Sequence, residues 1–271
     1  MKSRFACYTI GCVTAVAFFI QGMHSGIKSP LHPLNTQQNP VVVQQSATTA
    51  IRQASIQQSA PTPTSVYQKK FIHGFTILIH PLVLTHPQEA RAMQAELTTQ
   101  LKAISQVMPD KPLTILRTVW IWVEWDNKAG AAEFHPSAQW LQQNGYNPDK
   151  AGCVEIANTR NFIQWSRSEQ PWLILHELAH AYHHRALGEF NGDIQKAYRQ
   201  AQAQGLYQSV PYIKGTVQKA YALTNDKEYF AELSESYFGK NDFYPFTRSQ
   251  LQTYDPLGYQ LMEKSWGKPR Y

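Results

Sequence analysis

The sequence predicts an α+β fold, one domain in which a small mixed sheet packs against helices and the chemistry sits on one of those helices. Three observations carry this. Strand-rich segments at 71–84 and 113–125 flank a periodic helical stretch at 87–108, the layout of strands joined through a crossover helix. Beyond Pro171 the pattern is mainly helical, with breaks at Gly188 and Asn191-Gly192. Within that half, His176-Glu177-Leu178-Ala179-His180 sets two histidines four residues apart.

In chain order, Met1 to Gly26 opens with Lys2 and Arg4, continues through an apolar stretch from Phe5 to Ile20 and breaks at Gln21-Gly22. That layout predicts a secretory signal. An uncleaved N-terminal anchor is the alternative, although the stretch is short for a span and interrupted by Tyr8, Thr9 and Thr14. Residues 27–65 are rich in Gln, Ser, Thr and Pro without an apolar period, which predicts a disordered tether. Residues 66–271 then form the catalytic domain, long enough for a sizeable core. The expected location is outside the cytoplasm, secreted or in the periplasm and envelope, with membrane contact only through the first segment if it stays attached.

The formal charge of +6 is spread thinly, with no basic run longer than Lys69-Lys70. No nucleic-acid signature accompanies it, so nucleic acid is not an expected partner. Cys7 and Cys12 fall in the signal, leaving Cys153 alone in the mature chain. It has no disulfide partner there and is expected to be a small buried side chain.

Phe71 to His80 is β-branched and aromatic and predicts strand pairing. Pro87 to Met108 carries Met93, Leu97, Leu101, Ile104 and Val107 at helical spacing and stops at Pro109. A second strand is expected over Leu113 to Trp125, and Ala131 to Asp149 as irregular chain with one short helix. Gly152 to Ala157 and Asn161 to Trp165 predict short strands around a turn at Asn158-Thr159-Arg160. Cys153 to Ala157 is expected either to wall the cleft, where an extended peptide adds by backbone hydrogen bonds, or to be an ordinary interior strand.

Pro171 suits a first helical position, and Trp172, Leu175, Leu178, Ala179 and Tyr182 supply a buried face. At 3.6 residues per turn His176 and His180 share one face, the spacing that grips a single Zn²⁺, while Glu177 is placed to act as general base. Helices follow over Asp193 to Gln204, from Asn225 or Asp226 onward, and from Asp255-Pro256 to Trp266.

A catalytic zinc needs a third protein ligand. The metzincin pattern wants glycine at position 183 and histidine at 186, where the chain has His183 and Ala186. A thermolysin-like glutamate about nineteen residues past the second histidine meets Arg199 instead. The remaining candidate is Glu228, near the N-terminal turn of the helix capped by Asn225 or Asp226, with Glu232 one turn later on the same face and Glu235 three further on. Like charges at i and i+4 destabilise a bare helix by roughly 0.2 to 0.5 kcal/mol, so the stripe asks for a cation. Glu228 is read as the ligand and Glu232 as the acceptor that orients a histidine ring. One of His183 and His184 can line the cleft or donate to Glu232, the alternative being that they cap a helix end or sit exposed.

His176-Glu177-Leu178-Ala179-His180, followed by Tyr221, Thr224-Asn225 and Glu228-Tyr229-Phe230-Ala231-Glu232, resembles the catalytic centre of the anthrax lethal factor family of zincins. The likeness covers about residues 175–238 in two short blocks. It implies a zincin-like fold, one zinc ion, Glu228 as third ligand and Tyr221 as the electrophilic helper facing the metal. The run Tyr237-Phe238-Gly239-Lys240-Asn241-Asp242-Phe243-Tyr244-Pro245-Phe246 also resembles a set of uncharacterised exported bacterial metallopeptidase-like proteins, a likeness that extends over much of residues 134–266 and implies no particular substrate. The expected activity is zinc-dependent hydrolysis of a peptide or protein. The alternatives are a zinc amidase acting on non-protein envelope substrates and a silent zincin-fold binding protein.

Overall fold

In the computed structural model, which describes residues 60–270, the expected signal and most of the expected tether lie outside the described residues. The chain joins the fold upstream of Val66, because Thr62 Oγ1 bonds His80 Nε2 at 3.1 Å and Asn147 Nδ2 donates to Thr62 O and Thr64 Oγ1, each at 3.1 Å.

Strands β1 (Gln68–Ile72) and β2 (Phe75–Ile79) form an antiparallel hairpin. The single stretch expected at 71–84 is thus the end of one strand, a second strand and the short helix α1 (Pro81–Leu84). The two-residue turn uses positive φ at both His73 (49°) and Gly74 (87°), which matches the twist of the strands it joins. A Cβ at Gly74 would stand 2.6 Å from Arg117 Nε.

Helix α2 (Pro87–Val107) follows as expected, burying Met93, Leu97, Leu101 and Ile104. The strand expected over Leu113 to Trp125 is shorter. Asp110-Lys111-Pro112 opens helix α3 (Asp110–Leu116), whose Leu113 and Leu116 face the core, and β3 is only Ile121–Val123. Inside the stretch expected to be irregular lie β4 (Glu133–His135) and α4 (Ala138–Gln143), followed by β5 (Cys153–Ile156).

The sheet is mixed, in the order β1-β2-β3-β5-β4. β2, β3 and β5 run parallel, while β1 and β4 pair antiparallel at the edges. Of the two roles open to Cys153–Ala157, β5 takes the interior one, and the edge belongs to β4. Ile77, Ile121, Val123, Val154 and Ile156 join the main core with the helices, whereas Leu78, Trp122 and Cys153 form a small cluster with Tyr67.

Asn161 to Trp165, expected as a strand, lies inside helix α5 (Thr159–Ser168). The Asn158 side chain accepts from the Arg160 and Asn161 amides, and Phe162 and Ser166 are buried at i and i+4 spacing. Cap and period together override the β-propensity of the short apolar run. Helix α6 (Leu173–Tyr182) begins two residues beyond Pro171 and runs into a π-turn at His183–Leu187.

The remaining elements are α7 (Gly192–Ala203), a small β6–β7 pair (Val210–Pro211 with Val217–Gln218), α8 (Asp226–Phe238), α9 (Arg248–Tyr254) and α10 (Pro256–Trp266). From Glu228 to Phe238 every residue of α8 is buried, so this acid-bearing helix lies in the core. Trp266 locks it, stacking on Phe230 (centroids 5.6 Å apart) and on Tyr182 of α6 (4.0 Å). No helix among the described residues is long and apolar enough to cross a membrane.

Candidate metal centre

Helix α6 is apolar nearly all round, which draws it into the core and takes its polar residues with it. His176 and Glu177 are each 7 % exposed. One turn apart, the His176 and His180 rings approach edge to face at 4.9 Å. Helix α8 packs against α6 and brings the third group. The Asn225 side chain caps α8, accepting from the Lys227 and Glu228 amides at 2.9 Å, so Glu228 stands in the first turn. Its Oε2 lies 3.1 Å from His176 Nε2 and 3.1 Å from His180 Nε2. One ligand atom from each of His176, His180 and Glu228 falls within 4.8 Å of the others.

The electrostatics favour positive charge at this point. Burial opposes ionisation of Glu228, but His180 and His176 against its carboxylate hold it well below the usual carboxylate range. Burial likewise opposes charge on His176, yet its contacts with Glu228 and Glu235 raise the imidazole well above its ordinary value. Two imidazole nitrogens and a carboxylate oxygen are a donor set that suits zinc, and the acid-rich surroundings suit a cation.

Behind the ring, His176 Nδ1 lies 2.8 Å from Glu235 Oε1, while Glu232 Oε1 stands at 3.8 Å. The histidine-orienting role assigned to Glu232 thus falls geometrically to Glu235, because Glu232 turns away to accept from Asn241 Nδ2 at 3.2 Å. Burial, with the neighbouring carboxylates of Asp242 and Glu235, pushes Glu232 well above the usual range. Residues 228, 232 and 235 repeat at helical spacing, which was the available signal for Glu235.

The three groups open on a cleft of about 360 Å³ whose wall includes Glu177, Tyr221, β4, His183 and His184. Tyr221, in the 3₁₀ turn Tyr221–Leu223, lies 6.2 Å from the His176 ring, centroid to centroid. Burial pushes the Glu177 carboxyl above the ordinary range, His176 and His180 pulling the other way. Neither His183 nor His184 bonds Glu232. Their rings pack on Phe230 (5.5 Å) and Phe134 (5.7 Å) respectively, and burial first, then His180 and Lys227, brings His183 down to about 4. Cys153 is buried, and burial raises its thiol.

His135, inside the stretch expected as irregular chain, is buried in the β4 wall of the cleft and pairs with Glu155. A three-residue edge strand in a Gly- and Pro-containing stretch leaves no period to detect. Compared with protein-family models, curated proteins and solved structures, the chain has no match.

Proposed function

We propose that the chain is a zinc-dependent peptidase of zincin-like build, related in its centre to the anthrax lethal factor family, with His176, His180 and Glu228 holding one ion. When bound, zinc supplies Lewis acidity that acidifies water and polarises a carbonyl. Glu177, raised by burial, suits a base that takes a proton from water and passes it to the leaving amine. The Tyr221 hydroxyl is the candidate donor to the carbonyl oxygen as negative charge develops there. The outer edge of β4 beside these groups offers backbone N–H and C=O for an extended chain, which favours a peptide substrate.

The observation that carries this reading is the meeting of two imidazole Nε2 atoms on one Glu228 oxygen, each at 3.1 Å. The test is metal analysis of the full chain with unbiased peptide-library cleavage by wild type and Glu177→Gln. About one zinc per chain, with cleavage by wild type only, supports the reading. A chain that retains no zinc, or equal cleavage by both proteins, overturns it.

A further inference from the structure

The outer face of the sheet, away from the core helices, is closed at one end and open at the other. Tyr67, Leu78 and Trp122 close the first end, with Lys150 buried against Glu124 and Glu155. Side chains alternate along a strand and register partners share a face. Lys69 and Phe71 therefore follow Tyr67 outward, while Ile72 turns to the core. Phe71 pairs with Thr76, and Trp120 extends β3 by one residue, its carbonyl accepting from the Val154 amide at 3.1 Å. Phe71 and Trp120 thus emerge at the open end with only Thr76 of β2 between them, 74 % and 37 % exposed.

Cations surround this aromatic pair. Lys69 Nζ stands 5.0 Å from the centroid of the Trp120 ring. Arg117 is tied to the β1–β2 turn, its Nε donating to His73 O at 3.0 Å, and Arg185 donates to Thr118 Oγ1 and Gly152 O, just ahead of β3 and β5. All three are exposed, and none forms an ion pair among the described residues. The neighbouring carboxylates are engaged. Asp149 accepts from Thr64 Oγ1 and Glu124 from Lys150, while Glu155, against the cost of burial, is held down to about 2 by His135 and Lys150.

Projecting aromatic rings among unneutralised cations complement a surface that is anionic outside and apolar beneath, as a lipid headgroup layer is. Nucleic acid is the weaker match, because stacking a base needs an open ring face and the Lys69 ammonium already lies over that of Trp120. We propose that Phe71 and Trp120, with Lys69, Arg117 and Arg185, form a docking face for an anionic lipid surface. The proposal is independent of the peptidase reading, since none of these residues lines the cleft and β1 and β4 are opposite edges of the sheet.

The test mixes the full chain with vesicles of phosphatidylcholine, alone or with an equal part of phosphatidylglycerol, both carrying brominated acyl chains that quench tryptophan. All 7 tryptophans lie between residues 120 and 266, so quenching reports the domain and not the apolar N-terminal stretch. Quenching is expected on the mixed vesicles and little on phosphatidylcholine alone. Most of it should vanish in Trp120→Phe, which keeps an apolar ring in place. The ratio of docked to undocked chains, taken from the quenching amplitude, should fall about tenfold in Phe71→Ser and about fivefold in Lys69→Gln. Added salt should weaken docking of the wild type, a reading that needs no variant. No quenching on the mixed vesicles, equal quenching on both lipids, full quenching in Trp120→Phe, a ratio unchanged in both other variants or indifference to salt would overturn the docking face. Quenching by a single-stranded oligonucleotide without any response to the mixed vesicles would also overturn it and assign the face to nucleic acid.

Discussion

His176 Nδ1 and Glu235 Oε1 stand 2.8 Å apart, both groups buried, so the imidazole is held from behind by an anion seven residues beyond Glu228. A carboxylate in this position keeps the ring proton on Nδ1 and leaves Nε2 facing His180 and Glu228. Glu235→Ala is expected to weaken zinc binding about 10- to 100-fold, and Glu232→Ala much less. Chelator competition measures both. A larger loss in Glu232→Ala would return the orienting role to that residue.

Glu228→Ala should strip the metal, because it removes one of the three converging groups. Glu177→Gln should keep the metal and lower turnover by about 100- to 10,000-fold, the range for a general base. Equal metal loss in the two proteins would show that Glu177 belongs to the ligand set.

Tyr221→Phe removes only a hydroxyl, on the cleft wall. Zinc content and thermal midpoint should hardly change, while turnover falls by roughly 100- to 1,000-fold. An unchanged rate at full zinc occupancy would leave Tyr221 as a packing residue.

Glu155 makes acid stability testable. Its carboxyl is held at about 2 against an ordinary 4.5, so its contribution is present above about pH 4.5 and is lost as pH falls toward 2. The urea midpoint should therefore drop across that window, and the drop should be shallower in Glu155→Gln. Parallel pH curves for the two proteins would contradict the assignment.

Gly239 ends α8 against the start of α6, where an added Cβ would come within 1.9 Å of the Trp172 ring. Gly239→Ala must displace that ring and is expected to cost about 1 to 3 kcal/mol, measured by denaturant unfolding. Wild-type stability in this variant would mean that the indole moves aside freely.

Much of the centre was legible in short stretches of sequence. The four-residue spacing of His176 and His180, the Asn225 cap that sets Glu228 in the first turn of α8, and the period of α2 all follow from local helix geometry. The partners chosen across the fold were not. Glu228, Glu232 and Glu235 share one face of α8, and which of them meets each nitrogen of His176 depends on the rotation and offset of α8 against α6, in a core that Trp266, Phe230 and Tyr182 pack. The edge position of β4 and the pairing of His135 with Glu155 likewise depend on tertiary packing, because a three-residue strand carries too little periodicity to choose its own neighbours. Local spacing determined which groups could act on a metal, and the stacking of distant elements decided which of them meet.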